Sequence, residues 1–481
     1  MIILIIFFGL LLYSLSGNRN VHIVFWIALT LMFDPGGFLN YTLGGVFFGH
    51  LKYKDAFFLL MTICFLLATD IHLEELNSDK YFFKFVKYFI FLEIYYVAIY
   101  GWLTPYLNGI NSDNNFSLFI LKERTTVYGF FIVIYVYLFA KRGLLYHYKI
   151  IVFTGILCLG LFIVGYLSGR SFVPTTFDDR YSGEELQRVG MFSYGLFQVL
   201  LSMALIIYFF SSKYKISIPL KKSIFIGGAL MFITYMLTLT RRTLIETAAL
   251  PFIILLVRAR ITNTAIKYGK IIAVFILGII LLGIVAPRYI NWVGRMYKDI
   301  GSLATTGKDT RGETEYRLSR TGNMLYVTEN IKKRPFLGTG FLWMLYSDTN
   351  ERILAGDTYA AAWWAAREVP VYNELFSRGI FGLVLYIPVY IFILRTLIVL
   401  FKLLKKRSNE FIVRFPVFYI MGLVVIIEFI LSFTLRAYDL FGNFSVPGDM
   451  VYCGLLFSIC FSFKKFSYEE EKNPDTGATY R

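Results

Sequence analysis

Charged residues are scarce in this chain: they make up 17 % of its 481 residues, where an ordinary soluble domain carries roughly 25 %. That shortage excludes a water-facing surface over most of the length and points to lipid. Cysteine is nearly absent. Cys64, Cys158, Cys453 and Cys460 all fall inside apolar runs without CxxC spacing, so neither a disulfide framework nor a zinc site is indicated. The four histidines, His22, His50, His72 and His147, lie outside the long polar segment at 288–378, so a general base in that segment has to be a carboxylate. The first fifteen residues, Met1 to Leu15, lack the basic start and small-residue cleavage site of a signal peptide and read as a retained span. An internal repeat of the inverted-transporter kind is not visible either.

What is present is apolar sequence, 57 % of the chain. Runs close to the length that crosses a hydrocarbon core, about 17 to 25 residues, fall near 1–16, 21–34, 56–69, 85–107, 126–140, 149–168, 192–210, 223–240, 243–258, 270–287, 379–403, 415–435 and 449–463. The expected fold is all-α, a polytopic integral membrane protein of about 12–14 transmembrane helices. Residues 1–287 read as an N-terminal bundle, 288–378 as one large outer loop, and 379–481 as C-terminal helices with a short tail. The stretch GGFLNYTLGGVFFGH near residue 40 fits a short span, a re-entrant segment or a loop, and leaves the side of the N-terminus open.

The net charge of +16 would suggest nucleic acid in a soluble chain. Here much of the lysine, such as Lys213, Lys215, Lys221 and Lys222, sits in short links between spans, which is the positive-inside pattern and excludes a nucleic-acid partner. Links at 141–149, 211–222, 258–270 and 402–414 are therefore expected in the cytoplasm. By alternation, 108–125, 170–191, 241–242, 288–378 and 436–448 are expected outside. The loop at 288–378, about ninety residues long, is the outlier, and loops of that length usually carry function or are disordered.

The outer segments favour arginine, with Arg188, Arg241, Arg242, Arg317, Arg320 and Arg367 among them. A guanidinium presents a planar fork that grips phosphate or carboxylate at two points and stays charged. Clustered at membrane depth, such groups point to an anionic substrate. In Thr238-Leu239-Thr240-Arg241-Arg242-Thr243 the two arginines cap a tight hairpin between spans; the plainer alternative is that both snorkel to the interface.

The stretch AWWAAREVPVYNELFSRGIFG, residues 362–382, runs from Trp363 and Trp364 through Arg367 and Glu368 into a long apolar helix, with Pro370 as the break before it. Glu368 stands where loop meets membrane, a position suited to a general base. An Arg367 to Glu368 ion pair at a helix head, favoured by the helix dipole, is the alternative.

Together these segments resemble the O-antigen polymerase and O-antigen ligase superfamily of membrane glycosyltransferases. The likeness covers about residues 185 to 400. It rests on Arg320 followed four residues later by apolar Met324, then the Pro-x-x-Gly-x-Gly turn of Pro335, Gly338 and Gly340. Arg242 matches the family's Ser-Arg-Thr turn, with Arg241 in the Ser place, and Arg188 matches an Arg before the span at 192–210. The family usually carries a His-Asn pair eleven residues before the Gly that opens the next span. Counting back from Gly379 reaches Glu368 instead, which fits polymerases better than ligases.

The resemblance implies a C-type glycosyltransferase-like fold in the bacterial cytoplasmic (inner) membrane. It implies an undecaprenyl-diphosphate-linked oligosaccharide as donor, an acceptor glycan hydroxyl, and metal-independent, inverting transfer without a cofactor. Membrane lipid and, for a polymerase, a chain-length regulator protein are the implied partners. On that basis Arg188, Arg242 and Arg320 stabilise the leaving diphosphate with Arg241 and Arg317 as helpers, and Glu368 takes the acceptor proton with Asp357 in reserve. Arg367, Trp363, Trp364 and Tyr372 contact substrate, the aromatic rings by stacking on sugars or, equally, by joining an interfacial belt. A ligase that uses a lipid A-core acceptor, and a transporter of lipid-linked sugars, are the alternatives.

Overall fold

The computed structural model describes residues 2–32, 46–48, 51–68, 79–107, 112–168, 175–178, 188–191, 197–211, 217–238, 241–257, 320–340, 370–406, 409–434 and 447–472. These are mostly helical. Helices α1 (Ile2–Leu15) and α2 (Asn18–Met32) are parted at Gly17. A small hairpin, β1 (Val46–Phe48) with β2 (Leu51–Lys52), precedes α3 (Tyr53–Leu67). Helix α4 (Lys80–Ala98) continues through a π-helical turn, Ile99–Leu103, into α5 (Thr104–Leu107). Then come α6 (Ser112–Ser168), the hairpin β3 (Thr175–Asp178) with β4 (Arg188–Met191), α7 (Val199–Ser211), α8 (Lys221–Thr238) and α9 (Arg241–Val257). Helix α10 (Arg320–Lys333), α11 (Pro370–Lys406), α12 (Asn409–Arg414), α13 (Pro416–Thr434) and α14 (Pro447–Lys472) follow.

Local chemistry accounts for many of the boundaries. Helices α11, α13 and α14 open on Pro370, Pro416 and Pro447, because proline's fixed φ suits the first helical position and its missing N–H is not needed there. Asp79 caps α4, its Oδ1 accepting from the amides of Tyr81 at 3.1 Å and Phe82 at 3.2 Å. Asp55, in the first turn of α3, accepts from the Lys52 amide at 2.7 Å, which satisfies a donor the helix leaves open.

The expected helical character is observed, since the described residues are mostly helical, with two small hairpins, β1–β2 and β3–β4, in segments expected to be loop or short span. One expectation is corrected: the runs 126–140 and 149–168 are not two helices joined by a link at 141–149, because both belong to the single 57-residue α6, about 85 Å long. Lys141-Arg142-Gly143-Leu144-Leu145-Tyr146-His147-Tyr148-Lys149 contains no proline, and nothing in it interrupts the hydrogen-bond ladder. The charges stay on the helix flank, with the Lys141 ammonium over the rings of Tyr137 at 4.4 Å and Phe461 at 4.1 Å.

Helix α6 organises the packing. Its first half stacks Phe139 on Phe25 of α2 (3.9 Å between ring centres) and Tyr137 on Phe82 of α4 (3.7 Å), and α14 lies alongside it. Its second half meets α8, where the Tyr148 hydroxyl donates to the carbonyl of Pro219 at 2.7 Å. Helix α4 is tied to α11 by the hydroxyls of Tyr88, donating to the Leu385 carbonyl at 2.6 Å, and Tyr81, donating to that of Phe392 at 3.3 Å.

Among the described residues, two stretches are long and apolar enough to cross a membrane, Tyr128–Gly165 and Leu375–Lys405. On α11 the outward face is apolar as well: Ile380, Val384, Ile387, Ile391, Leu394 and Ile398 are exposed at alternating steps of four and three, with Phe381 exposed beside the first. That stripe runs about 27 Å, close to the roughly 30 Å of a hydrocarbon core.

Candidate functional site

Helix α10 ends in Arg334-Pro335-Phe336-Leu337-Gly338-Thr339-Gly340. The turn closes on itself where the Gly338 amide donates to the Arg334 carbonyl at 3.1 Å. It then joins a segment about forty residues further along the chain. The amides of Thr339 and Gly340 donate to the carbonyls of Phe376 at 2.8 Å and Ser377 at 3.0 Å. In return, the amides of Ile380 and Phe381 donate to the carbonyls of Pro335 at 2.8 Å and Phe336 at 3.2 Å. The Thr339 hydroxyl adds a bond to Phe376 O at 2.9 Å, and the rings of Phe336 and Phe381 lie 5.6 Å apart.

This clasp needs glycine on both sides. Gly379 breaks α11 at φ 65°, ψ −170°, a region open essentially to glycine alone. A Cβ there would run into the Phe336 carbonyl and approach the Gly338 nitrogen to 2.7 Å. Gly338, at φ 67°, faces the Ser377 and Arg378 backbone, which its Cβ would meet at 2.6 Å. The break at Gly379 divides α11 into a short arm, residues 370–378, and the long apolar stretch beyond it.

The clasp brings two sequence motifs together: the Pro-x-x-Gly-x-Gly turn and the Gly379 used as a landmark for position 368. Helix α10 leads from it back to Arg320, its first residue. The short arm of α11, with Tyr372 in its first turn, leads back to Pro370, two residues after Glu368. Arg241 and Arg242, expected in the link between spans, are instead the first two residues of α9, separated by two residues from the end of α8 at Thr238. Arg188 opens β4, with Asp178 opposite it in register. For these residues the backbone is the extent of the description. Arg317, Asp357, Trp363, Trp364, Arg367 and Glu368 lie outside the described residues.

A second polar feature escaped the sequence reading. A cavity of about 10 Å³ is lined by Gln198, Ser202, Tyr235, Glu246, Thr247, Leu250, Glu428 and Leu431, near the roughly 10–15 Å³ that admits one water. Glu428 of α13, 1 % exposed, accepts at both carboxylate oxygens, from Gln198 Nε2 at 2.7 Å and from Ser202 Oγ at 3.2 Å. The Tyr235 hydroxyl donates to Gln198 Oε1 at 3.4 Å. Glu246, also buried, belongs to the second turn of α9, just below Arg241 and Arg242. The available signal was a lone carboxylate in an apolar helix, Ile426-Ile427-Glu428-Phe429-Ile430, which is costly in lipid and usually functional. The emphasis on charges at the outer mouths passed over it.

Among the described residues no three His, Cys, Asp or Glu side chains converge to hold a metal ion. No family model, characterised protein or solved structure matches this chain.

Proposed function

We propose that the chain is a polysaccharide repeat-unit polymerase of the O-antigen type, a membrane glycosyltransferase working at the outer face of the bacterial cytoplasmic membrane. The observation that carries the reading is the clasp. The Pro-x-x-Gly-x-Gly turn, which carries part of the likeness to that superfamily, meets the Gly379 break about forty residues further along through four backbone hydrogen bonds, and the helices leaving the clasp lead to Arg320 and toward Glu368. The exposed stripe of α11, matched to a hydrocarbon core, supports a lipid setting with the clasp at its edge.

In the proposed reaction an acceptor hydroxyl oxygen attacks the anomeric carbon of an undecaprenyl-diphosphate-linked oligosaccharide. The new glycosidic C–O bond forms as the bond to the diphosphate breaks, and the electron pair leaves with the lipid diphosphate. Glu368 takes the hydroxyl proton, and a single displacement inverts the anomeric centre. Arg188, Arg242 and Arg320, aided by Arg241 and Arg317, stabilise the charge that builds on the diphosphate oxygens, a task suited to fixed guanidiniums in a site that excludes water. Trp363, Trp364 and Tyr372 offer faces for sugar rings, and Arg367 sets the environment of Glu368.

The test is deletion of the gene followed by analysis of surface and lipid-linked glycan. Single repeat units on their carrier and on the surface acceptor mark lost polymerisation, as proposed. Polymer stranded on undecaprenyl diphosphate marks a ligase instead, and units trapped on the inner face mark a transporter.

A further inference from the structure

Glu428 sits between Ile427 and Phe429 in a helix whose neighbouring side chains are buried and apolar, yet both of its oxygens are committed to other elements. Gln198 stands at the junction that leads into α7, and Ser202 lies in the first turn of that helix. Tyr235 belongs to the last turn of α8 and reaches the same Gln198 amide. The amide orientation is forced: its nitrogen faces a carboxylate and its oxygen a phenol. Glu246 and Thr247 of α9 complete the wall. Three helices, α7, α8 and α13, therefore meet at one hydrogen-bonded point walled by a fourth, α9, within about two turns of the ends that connect to the arginine-bearing segments. Arg188 precedes α7, and Arg241 and Arg242 open α9 directly after α8.

We infer that Glu428 is a positioning residue. Through Gln198, Ser202 and Tyr235 it locks the ends of α7, α8 and α13 in one register, and so fixes where the Arg188 strand and the Arg241–Arg242 hairpin stand relative to each other. What is being positioned, a set of groups for diphosphate, rests on the glycosyltransferase reading; the hydrogen-bonded lock itself does not. Misplacing a binding group by about 1 Å can cost a hundredfold in rate, so a lock of this kind acts on turnover without touching substrate.

The experiment exchanges the partners. Glu428→Gln keeps both bonds, because the new oxygen can accept from Gln198 and the new amide can donate to the Ser202 hydroxyl. Turnover per folded molecule is expected near wild type. Glu428→Leu removes both bonds, and Gln198→Glu sets two carboxylates against each other. Each is expected to lower turnover by about ten- to a hundredfold with the donor KM little changed. Adding Glu428→Gln to Gln198→Glu restores an acceptor and a donor at every contact, Tyr235 and Ser202 included, and activity is expected to return.

Hydrogen exchange at the start of α9, read on the same proteins, should quicken in Gln198→Glu and recover in the double variant, whatever the protein catalyses. The inference is overturned if Glu428→Gln fails as badly as Glu428→Leu, since negative charge is then what matters. It is overturned equally if the double variant stays as impaired as Gln198→Glu, or if exchange rises uniformly over all helices. Local loss and recovery of protection in a protein that transfers no sugar would uphold the lock and reject the glycosyltransferase reading.

Discussion

Replacing Gly379 by alanine attacks the clasp at its narrowest point. The backbone there, φ 65° and ψ −170°, costs a residue with a side chain about 1–3 kcal/mol. The added methyl also collides with the Phe336 carbonyl and comes within 2.7 Å of the Gly338 nitrogen. Relieving that contact means moving the two strands of the clasp apart, which forfeits at least the bonds from the Ile380 and Phe381 amides to Pro335 and Phe336. At about 0.5–1.5 kcal/mol each, with the backbone cost included, the clasp loses about 2–6 kcal/mol. Even the lower figure opens it about thirtyfold more often. Hydrogen exchange in a detergent or nanodisc preparation reads this directly at the amides of Thr339, Gly340, Ile380 and Phe381. Gly160→Ala in α6, where an added Cβ meets nothing within 4 Å, is the control. Exchange at those four amides that is no faster in Gly379→Ala than in Gly160→Ala would refute the reasoning.

Four further outcomes are expected. Gly143→Ala, whose Cβ would sit 2.7 Å from Trp26 Nε1, sets an overpacking cost of about 1–3 kcal/mol against about 1 kcal/mol of helix propensity; thermal unfolding should show a net loss of up to about 2 kcal/mol. Arg320→Lys keeps charge but loses the two-point grip, so polymer should fall while the amount of protein in the membrane holds; wild-type polymer would assign this residue to topology alone. Glu368→Gln should still bind donor but turn over about 10² to 10⁴ more slowly; lowered thermal stability with normal turnover, together with loss of activity in Asp357→Asn, would move the base to Asp357. A cysteine placed at Ser302 should react with an impermeant reagent in intact cells, and reaction only after the membrane is opened would put the 288–378 segment on the wrong side.

Much of the helical layout was legible because apolar runs mark segments that bury their backbone polar groups in helix. The run 1–16 became Ile2–Leu15, 223–240 became Lys221–Thr238 and 415–435 became Pro416–Thr434. The failure at 141–149 has a physical cause. A cluster of Lys, Arg and His reports a polar surface, whereas reversal of the chain depends on backbone breakers, and this stretch holds only Gly143, which packs against Trp26 instead. Within the candidate site, Pro335, Gly338, Gly340 and Gly379 were each visible as residues, but the positive φ of the three glycines and the pairing of the two segments are tertiary facts. Glu428 was legible as an anomaly and unreadable as a partner of Gln198, because the two lie 230 residues apart and no local pattern joins them.

The central claim is transfer of glycan from a lipid diphosphate to a growing chain. It is met most directly by purified protein in liposomes, supplied with undecaprenyl-diphosphate-linked oligosaccharide and with no metal added. The account predicts saccharides lengthened in whole repeat units and release of undecaprenyl diphosphate in step with each bond formed, both lost in Arg320→Lys. Donor that is moved across the bilayer yet remains a single unit, with no free undecaprenyl diphosphate, would contradict it.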